Sequence, residues 1–167
     1  MDQNVRRLLL LTDDNFIADA LGTYMHGDEI SVERVECPSD IVRSIGGGAD
    51  GVVIDLGKRG MTGDAIMNLT TRAQRWEIPV FIMSAQPRNA LTEFVAVVRA
   101  TDAVSKTEPM TTIAARIRMR LRTPVGPIKM MLFGAISSRI ASGVRWRRQR
   151  FRRAIAMAFF ASDWPTI

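Results

Sequence analysis

The sequence has little cysteine and no long apolar run. Its single cysteine, Cys37, excludes an internal disulfide and is typical of a protein from a reducing compartment. No apolar stretch approaches the roughly 18–20 residues that a transmembrane helix needs. The short run Leu8–Leu11 is followed at once by acidic residues, unlike a signal peptide. These three features lead us to expect a cytoplasmic protein. The glycine run at 46–48, a separate feature, lacks the spacing of a phosphate-binding fingerprint.

Positive charge is concentrated towards the C-terminal end. Residues 1–108 contain 11 lysines and arginines against 16 aspartates and glutamates, whereas residues 109–167 contain 12 against 1. The formal net charge of +6 therefore hides an acidic front region. This asymmetry suggests two functions, or one function with a basic anchoring arm.

Five short apolar segments alternate with five segments of helical periodicity. The predicted strands are Leu8–Leu11, Ile30–Val35, Val52–Ile54, Pro79–Met83 and Ala103–Ser105, and the predicted helices cover residues 16–25, 38–45, 63–75, 87–99 and 109–122. Strands that alternate with helices indicate a parallel sheet covered on both faces, with right-handed crossovers. We expect one α/β domain over residues 1–122.

Polar side chains follow four of these strands. They are Asp13 and Asp14 after the first strand, Asp55 after the third, Ser84 after the fourth and Lys106 after the fifth. The carboxyl ends of parallel strands share one edge, where sites form in open α/β sheets. Three carboxylates at one edge repel one another unless a cation intervenes, and Mg²⁺ suits carboxylates and phosphate oxygens. A carboxylate can also accept a phosphoryl group as an aspartyl phosphate.

Simpler interpretations remain open for each residue alone. The Asp13–Asp14 pair can cap the first helix, since aspartate is a good N-cap residue. Ser84 alone is typical of a strand-end hydroxyl, and Lys106 alone is typical of a solvated charge. The functional interpretation depends on the complete set.

With these residues in order, residues 5 to about 122 resemble the receiver domain of a two-component response regulator. The matching positions are Asp13 and Asp14 for the acidic pair, Asp55 for the phosphoryl acceptor, Gly63 for the glycine eight residues later, Ser84 for the hydroxyl and Lys106 for the lysine. The resemblance implies a five-stranded flavodoxin-like (βα)5 fold with strand order 2-1-3-4-5.

The resemblance also implies roles for the matching residues. Asp14 and Asp55, with the backbone carbonyl of Gly57, would hold Mg²⁺, and Asp13 would reach the metal directly or through water. Asp55 would accept a phosphoryl group from a phosphohistidine of a histidine kinase or phosphotransfer protein. Lys106 would pair with a phosphoryl oxygen, and Ser84 would move inward to bind another. Such a domain is not an enzyme but assists its own phosphorylation and dephosphorylation.

Three residues depart from the pattern of this family. Arg59 and Thr107 stand where prolines are usual, so the two loops and any cis peptide after the lysine are open questions. Ala103 stands where an aromatic switch residue is usual, so the readout of Ser84 movement is also open. Basic Lys58 and Arg59 lie beside the acceptor and can change its affinity for a metal or a partner.

The remaining residues predict a linker at 123–127 and a basic amphipathic helical extension at 128–167. The segment 145–153 alternates arginines with aromatics. It is compatible with nucleic acid, an anionic membrane surface, a protein partner, docking on the receiver itself, or disorder.

Three hypotheses follow. The first is a phosphorylation-dependent signalling switch that acts through its helix 4–strand 5–helix 5 face, with homodimer formation through the same face left open. This face carries arginines at 88, 99, 116, 118, 120 and 122. The second is a transcriptional regulator whose basic segment contacts DNA. The third is a pseudo-receiver scaffold without phosphotransfer. A phosphatase of the haloacid-dehalogenase type is disfavoured, because Gly57 stands where it needs a second aspartate.

Overall fold

The computed structural model describes residues 5–122. The strands are β1 Arg6–Leu11, β2 Ile30–Val35, β3 Gly51–Asp55, β4 Val80–Ser84 and β5 Asp102–Ser105. The helices are α1 Asn15–His26, α2 Pro38–Ile45, α3 Gly63–Arg75, α4 Thr92–Val98 and α5 Met110–Arg122. The predicted linker and basic extension lie outside these residues. Among the helices of residues 5–122, none has the length and apolar character to cross a membrane.

The five strands form one parallel sheet in the order β2-β1-β3-β4-β5. The predicted fold class and strand order are therefore confirmed. Strand β3 is central, and all five of its residues are buried. Its last residue, Asp55, pairs with Met83 of β4, while Leu11 of β1 pairs with Ile54. The carboxyl ends of the central strands consequently meet at one edge.

The sheet has an apolar layer on each face. On β1, Leu8 and Leu10 belong to the core beneath α1 and α5, while Leu9 and Leu11 belong to the core beneath α2, α3 and α4. A strand buried on both faces needs an unbroken apolar run, which explains the four consecutive leucines. All four are completely buried.

The predicted fourth helix differs from the observed one. It divides into a short 3-10 helix, Arg88–Leu91, and the shorter α4, which ends at Arg99 in a left-handed conformation (φ 57°). The side chain of Asn89 accepts a hydrogen bond from the Ala90 N–H at 3.0 Å. Such local side-chain bonds compete with regular helical hydrogen bonding, which gives a reason for the interruption.

The arginines of α5 lie on two sides of the domain. Arg116 pairs with Glu108 and Arg120 with Asp102, whereas Arg118 and Arg122 pair with Asp28 after α1. Residues four apart share one side of a helix, and residues two apart do not. Arg118 and Arg122 thus face α1 rather than the predicted helix 4–strand 5–helix 5 face. The point near residue 108 at which the sequence changes from acidic to basic falls inside the domain, between β5 and α5. It does not mark the end of the domain.

Candidate functional site

Asp55 is the centre of the candidate site. It ends the central strand β3 and is only 1% exposed. Its Oδ2 accepts hydrogen bonds from the Thr12 hydroxyl at 2.6 Å and from the Lys106 ammonium at 2.7 Å. Its Oδ1 accepts one from the Gly57 N–H at 2.8 Å. Both carboxylate oxygens are therefore fixed by donors from three different parts of the chain.

These donors make the burial of a charged carboxylate possible. A buried charge without partners is strongly unfavourable, whereas charge-assisted hydrogen bonds offset much of the loss of water. Lys106 supplies the opposite charge from the end of β5. Its backbone N–H also donates to the Ser84 carbonyl oxygen at 2.7 Å, which ties the lysine to the end of β4. Lys106 and Asp55 thus lie together at the strand edge to which the sequence assigned both.

Sequence reasoning missed Thr12. It is the first residue after β1, and it is 1% exposed. Leu11 of β1 pairs with Ile54 of β3. The residues that follow these two, Thr12 and Asp55, therefore lie side by side at the edge of the sheet. Thr12 also accepts the Asp14 N–H at 3.0 Å, so one hydroxyl links Asp55 to the start of α1. The sequence feature that could have identified Thr12 is its position as a polar residue directly after an apolar strand.

Two glycines shape the loop after Asp55. A Cβ on Gly57 would lie 3.2 Å from Oδ1 of Asp55 and 3.4 Å from Nζ of Lys106, so a side chain there would crowd the site. Gly60 has φ +76°, a conformation that glycine adopts without strain. The loop therefore passes close to the carboxylate and still turns back into α3.

The two acidic residues after β1 have separate positions. Asp14 is the N-cap of α1, and its Oδ1 accepts the Ile17 N–H at 3.2 Å. Asp13 is held on the other side: Lys58 Nζ donates to its Oδ1, and the Arg59 N–H donates to its Oδ2 at 3.0 Å. The capping interpretation is thus confirmed for Asp14, while its predicted role as a metal ligand stays a prediction.

Charged and polar neighbours lower the pKa of Asp13. The main cause is the hydrogen bond from Lys58, followed by the bond from the Arg59 backbone N–H. The Lys58 side chain is only 10% exposed, whereas that of Asp13 is 45% exposed. The ion pair thus joins a largely covered ammonium to a carboxylate at the surface.

Ser84 lies at the end of β4, level with Ser105 of β5. It is 5% exposed, and its Oγ accepts the Gln86 N–H at 3.2 Å. On either side of Lys106, the hydroxyls of Ser105 and Thr107 lie 2.8 Å apart. Residues 5–122 contain no cis peptide bond. Ala103, at the position expected for an aromatic switch residue, is a buried member of the apolar core.

The observed donor set does not fit the predicted Mg²⁺ ligands. Asp14 caps a helix, and both oxygens of Asp13 accept donors from the loop after Asp55. Within residues 5–122, no three histidine, cysteine, aspartate or glutamate side chains are grouped so that they can hold a metal ion. Asp13 and Asp55 are each paired with a lysine ammonium.

Comparison with known proteins identifies the fold. No family model and no curated protein matches the sequence. Solved structures do match: the receiver domain of Francisella response regulator 1452 is 19% identical, with TM-score 0.59 over 70% of this chain and 97% of that one. A CheY-like receiver domain protein from Methanospirillum hungatei is 14% identical, with TM-score 0.59 over 70% and 94%.

A third match is the BeF3-activated N-terminal receiver domain of Klebsiella pneumoniae RstA. It is 20% identical, with TM-score 0.59 over 71% of this chain and 100% of that one. At such low identities the likeness concerns the fold. Residues 5–122 have the receiver-domain fold of response regulators, and the resemblance drawn from the sequence is confirmed at that level.

Proposed function

We propose that this chain is a signalling switch of the response-regulator type, which accepts a phosphoryl group on Asp55. The observation that carries the proposal is the contact between Lys106 Nζ and Asp55 Oδ2 at 2.7 Å, at the carboxyl end of the central strand. Phosphoryl transfer depends mainly on positioning and on neutralising charge. A fixed carboxylate beside an ammonium supplies both.

The proposed donor is a phosphohistidine of a histidine kinase or a phosphotransfer protein. A carboxylate oxygen of Asp55 forms the new bond to phosphorus while the phosphorus–nitrogen bond breaks, and its electron pair returns to the imidazole nitrogen. Lys106 then faces the added negative charge of the phosphoryl group. Gly57 leaves Oδ1 free of a covering side chain. Ser84, at the adjacent strand end, is the hydroxyl that we propose responds to the new group.

Incubation with acetyl phosphate tests the proposal. We expect an acid-labile, hydroxylamine-sensitive phosphoryl label of one group per chain, found by intact mass spectrometry. The reaction is run with Mg²⁺ and with EDTA in parallel, because the observed donors do not fit a metal. The matched control is Asp55→Asn, which keeps the size and most hydrogen bonds of the side chain but lacks the nucleophilic carboxylate.

Two outcomes contradict the proposal. Absence of label in both conditions would favour the pseudo-receiver scaffold, and an equal label on Asp55→Asn would place the acceptor elsewhere. Homodimer formation through the helix 4–strand 5–helix 5 face remains a prediction. Binding of nucleic acid or an anionic membrane surface by the basic segment also remains a prediction, since residues 128–167 lie outside the structure described.

A further inference from the structure

Lys58 is a charged residue at this edge that has no part in the proposed reaction. Its ammonium donates to Oδ1 of Asp13, across 45 residues of sequence. Its side chain is only 10% exposed, although lysines are seldom so covered unless they are paired. The backbone of Lys58 also takes part in the site loop, since its N–H donates to the Asp55 carbonyl oxygen at 3.2 Å. Lys58 is therefore built into the site.

Two ion pairs lie at this edge. Two carboxylates, Asp13 and Asp55, are paired with two ammonium groups, from Lys58 and Lys106. A divalent cation bound through Asp13 would meet the Lys58 ammonium at the same carboxylate, so two cations would be close together. Like charges at such short range repel, most strongly where water is partly excluded. Mg²⁺ also demands near-ideal octahedral geometry, which oxygens already occupied by other donors do not provide.

We infer that Lys58 is a built-in cation, whose ammonium neutralises Asp13 in place of a divalent metal ion. The wild-type chain then has little affinity for Mg²⁺ at this edge. If Asp55 accepts a phosphoryl group as proposed above, that reaction proceeds without a divalent cation. The cation-independent reaction rests on the proposed function, whereas the weak affinity for Mg²⁺ does not, so the two can fail separately.

Binding of Mn²⁺, used as a paramagnetic probe for Mg²⁺, tests the inference on the full-length chain. Bound Mn²⁺ is measured by the loss of the free-ion electron paramagnetic resonance signal during titration. Lys58→Met keeps the length of the apolar stem and removes the charge. Groups around a metal ligand change metal affinity by about 10- to 100-fold, and we expect a gain in that range for Lys58→Met over wild type. Lys58→Arg should bind as weakly as wild type.

Two matched variants show whether the gain has the proposed cause. Arg59→Met removes a positive charge from the next, exposed residue, whose backbone N–H bonds Asp13 and whose charge acts on Asp13 less than that of Lys58 does. It should produce a clearly smaller gain. Adding Asp13→Asn to Lys58→Met should abolish it. Lys58→Gln serves as a second neutral variant if Lys58→Met does not fold, as judged by circular dichroism.

Three results would overturn the inference: wild type binding Mn²⁺ as tightly as Lys58→Met, an equal gain in Arg59→Met, or a gain that persists without Asp13. The phosphorylation arm is separate. If wild type is labelled by acetyl phosphate with Mg²⁺ but not with EDTA, the cation-independent reaction is wrong although the proposed function stands. If no label forms at all, the proposed function fails while the binding result remains valid.

Discussion

Asp55 and Asp13 follow neighbouring strands at the same edge of the sheet, yet their surroundings differ. Asp55 is 1% exposed and is held by Thr12, Lys106 and the Gly57 N–H. The Asp13 side chain is 45% exposed and is held by the loop that follows Asp55. The comparison shows that two aspartates at neighbouring strand ends are held differently according to which donors reach them.

The largest loss of stability is expected at Asp55, the buried one of the two aspartates. Lys106→Met leaves the Asp55 carboxylate without its counter-charge. Breaking a buried ion pair costs about 3–5 kcal/mol, and we expect about 3 kcal/mol here because the Lys106 side chain is 21% exposed. Urea denaturation followed by circular dichroism at pH 7 measures the loss in the free energy of unfolding. Adding Asp55→Asn should recover most of it, and a Lys106→Met variant as stable as wild type would contradict the pairing.

A smaller loss is expected when Asp55 loses a neutral donor. Thr12→Val keeps the shape of the side chain but removes the hydroxyl, leaving Oδ2 of Asp55 and the Asp14 N–H each short of a partner. Removing one partner of a buried hydrogen bond costs about 1–3 kcal/mol. The same urea titration measures it, with Thr12→Ser as the control that keeps the hydroxyl. Equal losses in both variants would show that the methyl group, not the hydrogen bond, matters.

Two substitutions of Asp14 distinguish the effect of losing the helix cap from the effect of losing the negative charge. Asp14→Ala removes the N-cap of α1 and should cost about 1 kcal/mol, whereas Asp14→Asn should retain most of the stability because asparagine also caps. Thr62→Ala, at the matching cap of α3, provides a second measure of cap loss. Thermal unfolding compares the three variants. An Asn variant as unstable as the Ala variant would mean that the carboxylate charge, rather than the cap, is required.

The smallest effect on stability is expected at Asp13, the more exposed of the two aspartates. The pKa of Asp13 is lowered in the folded protein, mainly by the Lys58 hydrogen bond, so its ionised form is favoured by folding. This contribution is present above the ordinary aspartate pKa of about 3.9 and disappears as the pH falls through the lowered folded value. Wild type should therefore exceed Asp13→Asn in urea midpoint at pH 7, and the difference should shrink towards pH 3. A difference that does not change with pH would contradict the lowered pKa.

Much of the fold was predictable because its signals are local. Alternating apolar segments and helical periodicity gave all five strands and five helices, including the bounds of β2 and α3. Lys106 was predictable as a partner of Asp55, since parallel strands deliver their ends to one edge. Thr12 was overlooked because its importance depends on the register between β1 and β3, which residue spacing alone does not give.

The sequence by itself determined a parallel α/β sheet and placed Asp55 and Lys106 at its carboxyl edge, because strand and helix periodicities and chain order are properties of the residues. Only the tertiary structure decided how charges distant in sequence pair: Asp13 with Lys58, and Arg118 with Asp28. These pairings join groups from separate parts of the chain. Their geometry exists only after the chain has folded, because the orientation of a loop, and not its sequence position, sets which charges meet.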